Sequence, residues 1–543
     1  MLLMEKGSYD AVVVGGGLAG LSAAVEAAKR GLGVLLICKS RAGRSGNTLV
    51  SGAALSVMNA GAGDSPALLG KDILSSGCGM SDPGLCRVFS KESASALGGL
   101  KEYGVAFKEP GGIPMAKQPP GHSVPRLFPS EYREFPYMNR GLALTLPLVD
   151  RAEKLGVVVM NDTAVLRILT RGNSVCGLLA WDGRTGQILR LRTGVVILAA
   201  GGGAGLYSRN NNTADVSCDS FALAYEAGAV LRDMEMVQFY PSMMYEPARI
   251  PFSNPLFGEG AVLRNALGEE FLFRYSPKGS LATRDLMARA VKREIDEGRG
   301  NPRYVFADCS GIPGEVLKLK YGELSAILSR FGLNLEKDLL PVAPSAHFYL
   351  GGVDIDRTCA TSVEGLLACG EAAGGLHGAN RLAGIALAEA AVFGKIAGRT
   401  ASIIFKKQQS LPSPAEPEMV FSGGAGAPLP ALTEKLREML WDCASLVRSE
   451  VSLEKAEREI GVISRELESG DGRNDGHPAR CFALGSMVLT ARMLVKCSLL
   501  RKETRGAFCR EEHPESSGRF AGSFLVQKSD AGAMTVRFRP NWS

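Results

Sequence analysis

A β-branched run near the start of the chain, YDAVVV at residues 9–14, passes directly into GGGLAG at 15–20. A small-residue helical pattern follows at 21–30, then a second apolar run, GVLLI, at 33–37. Strand, glycine turn, helix and strand in that order make the dinucleotide-binding βαβ unit. The three glycines have separate tasks: Gly15 makes the turn, Gly17 lets a pyrophosphate reach the backbone, and Gly20 allows close helix–strand packing. A carboxylate often ends the second strand to bind ribose, but Cys38, Lys39 and Ser40 stand there. Ser40 or a backbone group is left for that role.

A second strand exit of the same kind follows much later, VVILA at 195–199 leading into AGGGAG at 200–205. Two glycine-rich exits, with Ala199 and Gly201 in the second, predict an α/β fold of the two-dinucleotide-binding type. The loop at 44–54, RSGNTLVSGAA, is polar and small. Its Ser45, Asn47, Thr48 and Gly52 would let an isoalloxazine ring lie against backbone; a plain surface loop is the simpler reading. An amphipathic helix is expected at 140–155. Runs at 157–160, 164–170, 175–182 and 188–192 read as a hairpin-rich meander. Asp219 sits before a helix at 221–227, where N-capping comes first and a cofactor contact second. His122 lies in a Pro- and Gly-rich loop at 117–128 and reads as a loop residue before a site residue.

The densest chemistry falls at 347–387. His347 precedes a Gly351-Gly352 pair, an apolar run ends on Glu371, and a glycine-rich loop carries His377, Asn380 and Arg381 before a helix begins at 384–388. Glycine removes the Cβ and a helix start offers free N–H groups, so such a loop suits a flat or phosphorylated cofactor. A tight turn with an incidental arginine is the alternative. The texture changes at 234, and a separate capping domain is expected over 234–342, inserted between 1–233 and 343–407 of the cofactor domain. It holds Glu259 and a helix at 282–297 opening Thr283-Arg284-Asp285. That arginine either caps the helix or is aimed into a cleft by its neighbour. A Ser-, Pro- and Gly-rich linker at 408–431, a helical domain at 432–510 with helices at 432–469 and 479–500, and a tail at 511–543 complete the plan. The charged stretch 501–515 reads as a solvated helix end before a docking or domain-closing face.

A net charge of +6, spread along the chain, excludes nucleic acid as the expected partner. The twelve cysteines include no CxxC, so no metal or iron–sulfur site is expected in this chain. Isolated thiols, no secretory start and no run of about 18 apolar residues predict a cytoplasmic protein that reaches a membrane only through a partner.

Read together, GGGLAG at 15–20, AAGGGAG at 199–205, RDMEMVQFYP at 232–241, GEG at 258–260, TRD at 283–285, PSAHFYLGG at 344–352, LHGANRLAG at 376–384 and RKETRGAFCREEHP at 501–514 resemble the succinate dehydrogenase/fumarate reductase flavoprotein subunit family, which includes L-aspartate oxidase. The resemblance implies an FAD domain with an inserted capping domain and a C-terminal helical domain. It implies hydride from flavin N5 and a proton from Arg284, oriented by Asp285. His347 and Arg381 match the clamp on one substrate carboxylate, Glu371 the acid on the FAD ribose, and Ala386 and Leu387 the backbone N–H groups at the flavin's pyrimidine edge. The same resemblance implies a small carboxylate substrate, with dioxygen, a reduced carrier or an iron–sulfur partner subunit to exchange electrons.

This chain departs from that pattern in four places. No histidine occurs before His122, so the loop at 44–54 lacks the one that carries covalent FAD in respiratory members, and the flavin is expected to be non-covalent. Tyr240 stands where the family has a clamping histidine, Ser253 and Asn254 replace a threonine and a glutamate, and Phe257 replaces an arginine. The second carboxylate clamp therefore loses its charge and the proton relay is interrupted. Reduction of fumarate or a less charged enoate is the leading expectation. Aspartate oxidation, or an electron-transfer role with a decayed pocket, are the alternatives.

Overall fold

Four short apolar runs and one late strand form the sheet that organises the chain. In the computed structural model, which describes residues 3–252, 255–408, 428–468 and 477–541, the parallel strands lie in the order Leu366–Ala368, Val196–Leu198, Ala11–Val14, Val34–Ile37 and Val158–Met160. The first four are buried throughout, as strands covered on both faces must be. Val158–Met160, expected in the meander, pairs instead with Val34–Ile37. A β-branched run announces a strand without announcing its neighbour.

The helices Leu18–Lys29 and Ile385–Lys407 cross on this sheet at very close range. A Cβ on Gly394 would lie 2.4 Å from the Ala19 carbonyl oxygen, and one on Gly398 2.4 Å from that of Ala23. The meander Thr163–Arg171, Ser174–Asp182 and Gln187–Arg192 gains a fourth strand, Leu3–Ser8, parallel to Gln187–Arg192. Its polar sequence, LMEKGS, gave no strand signal.

The capping layer is an antiparallel sheet in the order Ile250–Pro251, Val237–Met244, Leu340–Tyr349, Val305–Asp308 and Val262–Arg264, with the helices Arg284–Asp296 and Gly314–Ser329. Leu340–Tyr349 runs unbroken from this layer to His347, so the boundary expected at 342/343 falls inside one strand.

The linker expected at 408–431 lies mostly outside the described residues. Three helices follow, Leu429–Ala444, Glu450–Glu468 and Pro478–Leu500. The last is the one helix among the described residues long and apolar enough to cross a membrane, contrary to the sequence reading; 61% of its apolar stretch is buried inside the fold. It packs on the other two and on Asp219–Glu226. The tail forms a hairpin, Gly522–Lys528 with Met534–Pro540, that joins the sheet of Leu231–Arg232 and Gly352–Asp354.

The charged stretch after the third helix is not a solvated end. Arg448, Arg501 and Arg510 are fully buried. Arg501 donates to Glu235 at 2.6 Å and Glu503 at 2.8 Å, and Arg505 donates to Glu503 at 2.8 Å. Arg448 donates to the Glu235 carbonyl at 2.8 Å. The carboxylate partner at 235 is 266 residues away in sequence, which is why charge density alone misled.

Candidate active site

The parallel strands all end at one edge, where ligands bind in open α/β sheets. There the two glycine exits touch: Gly15 (φ +110) carries no Cβ because one would lie 2.3 Å from the Ala199 carbonyl oxygen. Gly20 meets the Gly15 carbonyl in the same way, at 1.9 Å. Gly201 (φ +80) and Gly52 face open space, and beside Gly17 only Thr48 Oγ1 comes within 4 Å of a Cβ. The helix Leu18–Lys29 starts at Gly17 with no side-chain cap, and the Leu18 N–H donates to Thr48 Oγ1 at 3.2 Å. Its remaining first-turn N–H groups point to where a pyrophosphate would sit.

Glu371 follows the strand Leu366–Ala368. It accepts from the Tyr349 N–H at 3.0 Å and from Asn47 Nδ2 at 3.1 Å. Burial pushes its carboxyl up to about 7. Asn47 also donates to Asn212 Oδ1 at 2.7 Å, which ties the small-residue loop to the strand exits. Lys39 pairs with Asp219 at 2.8 Å and donates to Ser217 at 2.5 Å. Asp219 is not the N-cap. Cys218 holds that position in the left-handed region (φ 66), and Asp219 Oδ1 accepts from Ser217 Oγ at 2.7 Å. Ser40 offers its carbonyl to the Asp162 N–H at 2.9 Å, and Ser45 Oγ donates to the Arg41 carbonyl at 3.0 Å. Across the cradle Gly384 (φ 75) starts Ile385–Lys407, again uncapped, which puts the N–H groups of Ala386 and Leu387 in a first turn. Open glycines, two uncapped helix starts and an acid between them fit a dinucleotide such as FAD.

Beside this cradle Arg284, His347 and Arg381 come together from three elements. Burial, then Arg381 and Arg284, hold the His347 imidazole well below its usual value, so it is neutral near pH 7. Its Nδ1 lies 3.1 Å from Asn211 Oδ1, an acceptor, which leaves Nε2 for a ligand. Burial and then Arg284 bring Arg381 down to about 10. Its guanidinium lies 4.7 Å from the centre of the Phe348 ring, and its Nε is buried without a hydrogen-bond partner. The Arg381 carbonyl accepts from Gln238 Nε2 at 3.0 Å. Arg284, the first residue of Arg284–Asp296, is lowered by burial and lies 5.8 Å from the centre of the Tyr240 ring.

Two carboxylates act on Arg381, and both are engaged elsewhere. Glu371 is bonded as above, and Glu389 lies 2.8 Å from His377 Nε2. Asp285, expected to orient Arg284, instead pairs with Arg289 one turn further on, at 3.0 Å. Tyr240 lies 5.5 Å from His347 between ring centres and donates its hydroxyl to the Phe252 carbonyl at 2.6 Å. Phe257 packs on Phe252 at 5.5 Å inside the apolar core of the capping layer. Ser253 and Asn254 lie outside the described residues. His122 is buried in a structural bond, its Nε2 3.0 Å from the Ala383 carbonyl oxygen. Sequence reasoning missed Asn211, Asn212 and Gln238. Amides carry no periodicity; the Asn210-Asn211-Asn212 run was the one visible sign of the first two, and Gln238 lay unremarked inside the motif at 232–241.

The FAD binding domain family matches residues 10–387, and the fumarate reductase flavoprotein C-terminal family matches 433–541. An uncharacterised FAD-dependent oxidoreductase of Methanocaldococcus jannaschii is 33% identical over 95% of this chain and 96% of its own. One component of the CoM/CoB fumarate reductase of Methanothermobacter marburgensis is 32% identical over 97% of this chain and 98% of its own. Among solved structures, Sdh1 of Mycobacterium smegmatis in complex with UQ1 superposes with a TM-score of 0.88 at 26% identity, covering 99% of this chain and 95% of that one. With the cradle built for a dinucleotide and both halves of the chain matched, the protein belongs to the fumarate reductase/succinate dehydrogenase flavoprotein family and is an FAD-dependent oxidoreductase acting on CH–CH groups.

Proposed function

We propose that the enzyme reduces the C=C bond of an α,β-unsaturated carboxylate, fumarate or a related enoate, with Arg284 as proton donor. The observation that carries this reading is the meeting of Arg284, His347 and the buried Arg381 in one place, where Arg381's nearby carboxylates are already bonded elsewhere. A substrate carboxylate supplies the missing negative charge. The Arg381 fork binds it, since guanidinium matches carboxylate in shape, and His347 Nε2 takes up a proton to share it. That grip draws electron density from the double bond and makes its β-carbon electrophilic.

Bound FAD supplies hydride chemistry at N5. This chain's part is the proton: Arg284 gives it to the α-carbon, and together with the hydride that bound FAD would supply to the β-carbon it makes up the two electrons and two protons of the saturated acid. A guanidinium in water holds its proton too tightly for this task; burial weakens that hold in the required direction. Tyr240 and Phe257 bring no positive charge to the far end of the substrate, which favours an enoate less charged there than fumarate. Ser253 and Asn254 belong to the same reading as residues of that end. Aspartate oxidation would need a second charged clamp at the same place.

The flavin is held without a covalent bond by Gly15, Gly17, Gly20, Lys39, Ser40, Ser45, Asn47, Thr48, Gly52, Ala199, Gly201, Asp219, Glu371, Ala386 and Leu387. Electrons arrive from an iron–sulfur partner on the cytoplasmic side. Steady-state assays with reduced viologen test the core of the reading. Fumarate or crotonate should turn over, and an Arg284→Gln variant should lose turnover while keeping its flavin. Full activity in that variant would end the proton-donor assignment.

A further inference from the structure

The residues that the proposed reaction needs at fixed separation sit on different elements. Arg284 opens a helix of the capping layer, and Arg381 lies in the glycine-rich loop of the cofactor cradle. One peptide group lies between those elements. The Gly506 carbonyl accepts from Arg289 Nη1 at 3.1 Å, and Arg289 is on the Arg284 helix. The Ala507 N–H, the other half of the same peptide group, donates to the Ala379 carbonyl at 2.9 Å, two residues before Arg381.

The turn that presents this peptide is held from behind. Arg505 and Phe508 exchange both backbone hydrogen bonds, at 2.8 and 3.0 Å, which leaves Gly506 and Ala507 at the tip of a two-residue turn. Arg505 Nη1 donates to the Cys78 carbonyl at 2.7 Å, and its other nitrogens bond Glu503 inside the buried network. Gly506 has φ +55, and a Cβ there would lie 2.5 Å from the Ala379 carbonyl oxygen. On the other side Asp285 grips Arg289 at 3.0 Å and aims its second nitrogen at the turn.

We infer that the 505–508 turn is a strut that sets the distance between Arg284 and Arg381, and that Arg289 is a positioning residue for proton delivery. The inference rests on the proposed role of Arg284. Arg289 is suited to the task because its fork holds Asp285 and the Gly506 carbonyl at once. A lysine brings a single ammonium and cannot reproduce both contacts in one plane.

The test is a double-mutant cycle on the flavin-loaded protein, using whichever of fumarate and crotonate turns over faster with reduced viologen. Arg289→Ala should lower kcat about tenfold or more, since small misplacements of a catalytic group are costly, and leave KM within about threefold. Its solvent deuterium isotope effect should rise as proton delivery becomes more limiting. In an Arg284→Gln background the same change should have no further effect on kcat. In flavin-free protein, amide exchange should accelerate together at 284–289 and at 505–508. Arg289→Lys should fall on the alanine side, and it carries the test if the alanine variant does not fold.

Loss of turnover in Arg284→Gln with unchanged kcat and isotope effect in both Arg289 variants overturns the strut. Equal losses from Arg289→Ala in the presence and absence of Arg284 overturn it too, because the residue would then act elsewhere. Unimpaired Arg284→Gln overturns the proton-donor reading on which it depends.

Discussion

Two clusters of arginine in this protein are handled in opposite ways. In the C-terminal network burial pulls at the guanidiniums, yet Asp233, Asp354 and Asp82 hold Arg232 above its usual value, and Glu235 with Asp233 does the same for Arg501. In the site beside the cradle burial wins: Arg284 and Arg381 fall below theirs, and His347 falls with them. Both clusters are built around arginine; Arg232 and Arg501 are buried, and in the second cluster Arg381 is buried while Arg284 and His347 are half-buried. The first is closed, its charges met by protein. In the second, the carboxylates that act on Arg381 are bonded elsewhere, to Asn47 and Tyr349 and to His377, so an arriving anion finds a guanidinium to pair with. The contrast marks where a ligand is wanted.

The contrast can be broken by experiment. The largest effect should come from the open cluster: Arg284→Gln should lower kcat by about 10²–10⁴-fold with the flavin still bound, measured by steady-state assay and flavin absorbance. Next comes the closed cluster. Arg501→Met leaves Glu235 buried without its cation and should cost about 3–5 kcal/mol in denaturant unfolding, with little change in KM.

His347 should show a smaller, signed effect. Its folded value is depressed, so a carboxylate that binds beside it pulls a proton onto the ring. Binding of succinate should therefore take up a proton near pH 7, seen as a buffer-dependent heat in calorimetry, and His347→Gln should abolish it.

Glu371 titrates in the other direction. Its carboxyl is raised to about 7, so the flavin-free fold binds more protons than the unfolded chain between about 4.5 and 7. Stability of that form should fall as pH rises through this window and level off above it, and Glu371→Gln should flatten the slope. Smallest of all is Lys154→Ala. Its pair with Asp150 is exposed, and its removal should change stability by under about 0.5 kcal/mol, which shows that depth rather than charge number makes the two clusters matter.

The legible parts of the sequence were those in which backbone does the work. Gly15, Gly17 and Gly20 stand out because a missing Cβ is written in the residue itself, although the helix that follows begins at Leu18, three residues before the expected start at Leu21. Arg284, His347 and Arg381 were legible only through the motifs around them, and their convergence is a property of three distant elements. What failed was partnership. The run 501–515 looks solvated until Glu235 is brought to it. Asp285 stands next to Arg284 in sequence, but side chains on a helix meet one turn away, so it reached Arg289 instead. Val158–Met160 was a strand as expected and joined the wrong sheet in the sequence reading for the same reason.

The strand Leu231–Arg232 finds its neighbour in Gly522–Lys528. During synthesis, at about 5–20 residues per second, that neighbour leaves the ribosome on the order of tens of seconds after the strand it completes. Until then the exposed edge and the Arg232 cluster have no cover from the hairpin. A nascent chain of this protein thus carries an uncovered edge at Leu231–Arg232 until its last residues are made.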